Sequence, residues 1–112
     1  MEHDWKIVYW SLPNRPSPIF TFIETLPLKA KTKLIQSFDL LIQYNIQLRE
    51  PHVKKVAGTS LWELRILGQD NVRIFYVAVL EKKFLLLHGF VKKTQKTPQK
   101  EIRTALHRLT EH

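Results

Sequence analysis

The sequence predicts an α+β domain of order β-αα-βββ-α, an antiparallel sheet with a helical hairpin on one side. Three observations predict it. A strand-like run opens the chain, and three more lie close together in its second half. Between them two helical stripes meet at Pro27, and a short amphipathic helix ends the chain. Helices set apart from a meander of strands are the pattern of this class.

Residues 6–10 contain Ile7, Val8, Tyr9 and Trp10, side chains that favour extended backbone. The following Leu12-Pro13-Asn14-Arg15-Pro16 is a turn. Ser17 before Pro18 reads as an N-cap with proline in the first helical turn. Ile19, Phe20, Phe22, Ile23 and Leu26 follow at near-helical spacing until Pro27. A second helix is expected from Leu28 to about Tyr44. Its apolar stripe is Ala30, Leu34, Ile35, Phe38, Leu41 and Ile42. Residues 47–59 carry Pro51, Gly58 and Lys54-Lys55 and are expected to be irregular. Strands are expected over residues 60–67, 72–80 and 84–93, joined by turns at 68–71 and 81–83. Thr97-Pro98 repeats the cap-and-proline signal before Ile102, Ala105, Leu106 and Leu109.

At 112 residues, 44% of them hydrophobic, the chain is expected to form one domain over residues 1–112 with a modest core. It has no cysteine, which excludes disulfides, thiolate chemistry and Cys-based zinc sites. The first residues, Met1-Glu2-His3-Asp4-Trp5, lack the basic region and apolar run of a signal peptide. No apolar run reaches membrane-spanning length. A cytoplasmic protein without a membrane partner is expected. Eighteen Lys and Arg against ten Asp and Glu give a net charge of +8. Such an excess attracts a polyanion or an acidic protein.

Several of these cations interrupt strands that are otherwise apolar, where an unpaired charge is costly. Side chains alternate faces along a strand, so the turn lengths decide which cations meet. With residues 81–83 unpaired, Arg73 lies opposite Val91 and shares a face with Lys93. With an odd first loop, for example residues 67–71, Arg65 lies opposite Arg73. Arg65, Arg73 and Lys93 are therefore expected on one face. His88 and Lys92 are expected on the other unless the strand twists or bulges. Lys96, Lys100, Arg103 and His107 recur three or four residues apart, a basic stripe expected beside that groove.

A cleft of this kind suits RNA. The 2′-hydroxyl of RNA can attack its own phosphodiester if a protein holds the geometry, neutralises the phosphoryl oxygens and moves protons. Arginine suits the second task through its fork and permanent charge. Arg65, Arg73, Lys92, Lys93 and His88 are the candidate catalytic residues. His88 also reads as a hydrogen-bonded histidine at the edge of the core. Lys54, Lys55, Lys96, Lys100 and Arg103 are the candidate substrate contacts. The five histidines are scattered without metal-site spacing, so neither metal nor other cofactor is expected.

The segments Leu61-Trp62-Glu63-Leu64-Arg65, Val72-Arg73-Ile74-Phe75-Tyr76 and Leu87-His88-Gly89-Phe90-Val91-Lys92-Lys93-Thr94-Gln95-Lys96-Thr97-Pro98 resemble the RelE/HigB-type toxins of type II toxin–antitoxin systems. They are most similar to the phage-derived HigB-like branch. The resemblance is strong over residues 54–109. It implies a RelE/ParE-like, microbial-RNase-like domain that binds the ribosome, cuts mRNA in the decoding site and so arrests growth. It implies a helix-turn-helix, HigA-like antitoxin, with operator DNA bound only through the toxin–antitoxin pair. By position, Arg65 and Arg73 match arginines on the family's central strands, and Lys93 matches its basic residue at the last strand end. Lys54 and Lys55 fall near a basic segment of some members. Many relatives have tyrosine where this chain has Val72, and no tyrosine occurs in the final helix to stack on a base. Two other functions fit the same fold: a ParE-type inhibitor of DNA gyrase, and a basic binding module without enzymatic activity.

Overall fold

The computed structural model describes residues 4–66, 68 and 71–112. Residues 1–3, and Leu67, Gln69 and Asp70 of the expected first strand and its turn, lie outside the described residues. The elements are β1 (Lys6–Tyr9), α1 (Pro18–Glu24), α2 (Leu28–Tyr44), β2 (Val53–Lys55), β3 (Trp62–Arg65), β4 (Val72–Val79), β5 (Lys83–Val91) and α3 (Gln99–Thr110). A single 3₁₀ turn, Asn45–Gln47, follows α2. This is the expected α+β architecture.

Ser17 caps α1 as expected. Its hydroxyl oxygen accepts from the Ile19 and Phe20 amides at 3.2 and 3.4 Å, and its hydroxyl donates to Trp10 O at 2.7 Å. One side chain thus satisfies the helix start and ties it to the end of β1. α2 buries Ala30, Leu34, Phe38 and Leu41 at helical spacing. Ile35, expected in that stripe, is 52% exposed. It follows Leu34 by one residue, which turns it well away from the buried line. α3 starts at Gln99, one residue later than expected, so its N-cap is Pro98, which has no side-chain acceptor, and Thr97 donates to Glu63 Oε2 at 3.4 Å.

The five strands run in the order β1-β5-β4-β3-β2. Two features differ from expectation. The sheet is mixed, because β1 pairs with β5 in parallel. Parallel pairing needs a long crossover, and the α1–α2 hairpin supplies it. Three residues of the segment expected to be irregular form β2, antiparallel to β3.

The helical hairpin covers one face. There Phe22 of α1 lies over Gly89 so closely that a Cβ on Gly89 would come within 2.4 Å of Phe22 Cδ2. α3 covers the other face, where Glu101 and Arg108 reach His88. The core fills both interfaces, with Phe75, Phe84, Leu64, Ile74 and Leu86 fully buried in the central strands. Among the described residues no helix is long and apolar enough to cross a membrane.

Candidate active site

The β3–β4 register places Arg65 directly opposite Arg73, as an odd first loop requires. The β4–β5 register differs from expectation. The turn leaves residues 80–82 unpaired, with Glu81 and Lys82 at positive φ, so Val79 pairs with Lys83. A bulge then falls between Phe75 and Tyr76. Phe75 pairs with His88 and Tyr76 with Leu86, which leaves Leu87 as the extra residue. Arg73 therefore faces Phe90 rather than Val91. One inserted residue exchanges the faces of everything beyond it. His88 accordingly joins the arginine face, and Lys54, opposite Glu63, joins it as well. Lys55 falls on the other face, where its ammonium donates to Thr59 O.

Like charges directly opposite on a sheet repel, and here a carboxylate answers them. Glu63 is 4% exposed. Its Oε1 lies 3.3 Å from Arg65 Nε and 4.0 Å from Arg73 Nε. The second distance is an ion pair but too long for a hydrogen bond, and Arg73 Nε has no acceptor among the described residues. Arg73 Nη1 donates to Val72 O at 3.1 Å. Burial lowers the Arg73 pKa, Glu63 opposes this, and Arg65 adds to it. The guanidinium remains charged at any physiological pH. A phosphate arriving here meets two ionised forks held by one buried carboxylate.

β5 ends at Val91, so Lys92 and Lys93 leave the sheet instead of extending it. The Lys92 amide donates to Asn71 O at 2.9 Å, which draws the outgoing chain alongside the start of β4. Arg73, Asn71, Lys92, Lys93, Thr94 and Gln95 together line an open cleft of about 430 Å³. Lys92, expected on the opposite face, comes to the arginine side through the same exchange of faces at the bulge, and Lys93, which the exchange alone would send to the other face, still lines the cleft because the strand has already ended.

His88 is a hydrogen-bonded histidine at the edge of the core, one of its two expected readings, but its partners on α3 had no signal in the sequence. Its Nε2 is 2.6 Å from Glu101 Oε1, and Arg108 Nη1 is 3.3 Å from its Nδ1. Arginine has only donors, so Nδ1 must accept and Nε2 carries the proton donated to Glu101. His88 is thus neutral, and both ring nitrogens are engaged. Burial pushes its pKa below the ordinary 6.5; Glu101 pulls it up and Arg108 down. Arg108 also donates to Leu87 O at 2.9 Å and lies 5.0 Å over the Trp10 ring. Phe90 packs on both His88 and Phe75, and Tyr76 is buried on the hairpin face, where burial raises its hydroxyl pKa.

The basic stripe is divided. Lys96 precedes α3. Lys100, Arg103 and His107 line a separate groove with Trp10 and Leu12, on the β1 side of α3 rather than beside the arginines. Among the described residues no group of three or more His, Asp or Glu could hold a metal ion.

Residues 21–110 match the family model described as "Phage derived protein Gp49-like (DUF891)". No curated protein matches the chain. The family match spans most of the sequence, including every strand from β2 to β5 and all but the start of α1. The protein belongs to the Gp49-like family of phage-derived proteins, a toxin-like family of toxin–antitoxin systems, and an antitoxin partner follows from that membership.

Proposed function

We propose that the protein is a HigB-like toxin of a type II system that cuts mRNA held in the decoding site of the ribosome. One observation carries this reading: Arg65 and Arg73 face each other over the buried Glu63, at the edge of a cleft lined by Lys92 and Lys93. A pair of fixed guanidinium groups is suited to the charge that builds on the phosphoryl oxygens during in-line attack.

In the proposed reaction a base removes the proton of the 2′-hydroxyl and O2′ attacks the adjacent phosphorus. The P–O5′ bond breaks, and an acid protonates the departing O5′. The products are a 2′,3′-cyclic phosphate and a 5′-hydroxyl. Arg73 and Arg65 stabilise the phosphorane oxygens. Lys93, exposed on the cleft rim, and Lys92 move the protons. His88 acts by holding α3 against β5, since both its nitrogens are occupied. Lys54, on the arginine face, holds a flanking phosphate. The antitoxin is a helix-turn-helix protein of the HigA kind, and the pair represses its own operon.

The test uses purified protein, ribosomes programmed with a labelled mRNA, and mapping of the RNA ends. Wild type cuts, and Arg73→Ala and Lys93→Ala each lose about a hundredfold or more, the usual effect of removing one charge-stabilising group. A protein that arrests growth but cuts neither ribosome-bound nor free RNA would exclude the nuclease and direct attention to DNA gyrase.

A further inference from the structure

α3 divides the sheet face that carries the arginines. The cleft of Arg73, Lys92 and Lys93 lies toward β4. Trp10 extends the β1 edge, its amide donating to Leu86 O at 2.9 Å. Between it and α3 runs a second groove of about 610 Å³ that shares no lining residue with the first.

Cations outnumber carboxylates in this groove, Lys100, Arg103 and Arg108 against Glu111. Lys100 and Arg103 are exposed, one helical turn apart, and neither has an ion-pair partner among the described residues. Of the nearby acids, Glu101 is committed to His88 at 2.6 Å, while Glu111 lies at the groove itself, 3.9 Å from His107. Arg108 adds a third cation against the Trp10 ring. Trp10 itself is 8% exposed, and its indole N–H has no acceptor among the described residues. A buried donor without a partner is a standing cost that an anion or its water can relieve.

We propose that this groove is a second site for the RNA backbone, outside the one where cleavage occurs. The inference rests on the nuclease reading: phosphates flanking the scissile one cross α3 and settle along Lys100 and Arg103. A helix with its side chains is about 10 Å across, a span that a few nucleotides cover. The occupant is therefore the substrate strand itself, already anchored at the arginines.

The experiment measures binding of a labelled single-stranded RNA of about 20 nucleotides as salt is varied. Each phosphate contact on a single strand contributes about 0.7 to the slope of log K against log salt. The Lys100→Gln/Arg103→Gln double variant is expected to bind more weakly, with a slope smaller by about 1.4. Lys29→Gln/Lys33→Gln, an equal charge loss on the exposed side of α2, is expected to retain the wild-type slope. An RNA of about four nucleotides is expected to bind all three proteins alike. An unchanged slope in the α3 variant, or an equal fall in the α2 variant, overturns the site. So does a loss of binding confined to a poly-glutamate peptide, which would give the groove to an acidic protein. The nuclease reading fails on a separate measurement: a wild type that shows the α3-dependent slope but cuts no RNA retains the groove and loses the reaction.

Discussion

Arg65 stands directly across the β3–β4 ladder from Arg73, and the carboxylate that reconciles them, Glu63, belongs to the same strand as Arg65. Removing one partner of a buried ion pair is far costlier than never having had the pair. Glu63→Gln keeps the shape and removes the charge, leaving two like charges in register. Unfolding in urea is expected to show a loss of roughly 2–3 kcal/mol, below the fully buried figure because both arginines retain some water. Glu63→Gln/Arg73→Gln is expected to be less destabilised than the sum of its single changes. Additivity of the two would show that Glu63 does not compensate Arg73.

The register makes a sharper claim about two adjacent lysines. Lys54 pairs with Glu63 on the arginine face, while Lys55 pairs with Trp62 on the other. Lys54→Gln is expected to raise KM for RNA cleavage about fivefold with little change in kcat, the scale of one exposed charge contact. Lys55→Gln is expected to change neither constant. Equal effects from both would mean that RNA is not read along this face of β2.

Local signals in the sequence were enough to place the helices and the arginine pair. Ser17-Pro18 marks a helix start in two residues, and Ala30, Leu34, Phe38 and Leu41 mark a buried side by spacing alone. Any odd loop puts Arg65 on the face of Arg73, and the observed register sets the two directly opposite. The features that were missed have no local signal. β2 is three residues long and exists only by pairing with β3. Parallel pairing of β1 with β5 joins residues far apart in sequence. The extra residue Leu87 sits in an unbroken apolar run, where a slip leaves no break in alternation. Glu101 reads as a lone acid among cations until α3 folds back onto His88, 13 residues away in sequence.

Gly89 is needed for closeness rather than for backbone freedom. A Cβ there would sit 2.4 Å from Phe22 Cδ2 and 3.0 Å from Ile74 Cδ1. Gly89→Ala must push the Phe22 ring off β5, an overpacking cost of about 1–3 kcal/mol. Phe22→Leu, which removes the ring, is expected to recover part of that loss when combined with it. The comparison is again of urea midpoints at constant slope. A Gly89→Ala protein as stable as wild type would mean that α1 does not press on the strand.

The His88 network makes stability depend on pH in a direction that can be worked out. Nδ1 accepts from Arg108 and Nε2 donates to Glu101, so a second proton would have to enter on Nδ1, facing a guanidinium. Burial and Arg108 outweigh the pull of Glu101, and the folded-state pKa lies below the ordinary 6.5. As pH falls through the ordinary value, the unfolded chain takes up a proton that the folded protein resists. The contribution of this group is therefore complete above 6.5 and is lost on acidification. Wild type is expected to lose stability between about pH 7.5 and about pH 5.5, and His88→Gln, which cannot titrate, to lose less over the same interval. Glu101→Gln removes the carboxylate charge that helps raise the His88 pKa, so its loss on acidification should exceed that of wild type. Carboxylates elsewhere contribute equally to all three proteins and cancel in the comparison. An identical pH slope for wild type and His88→Gln would show that His88 is not held neutral by the fold.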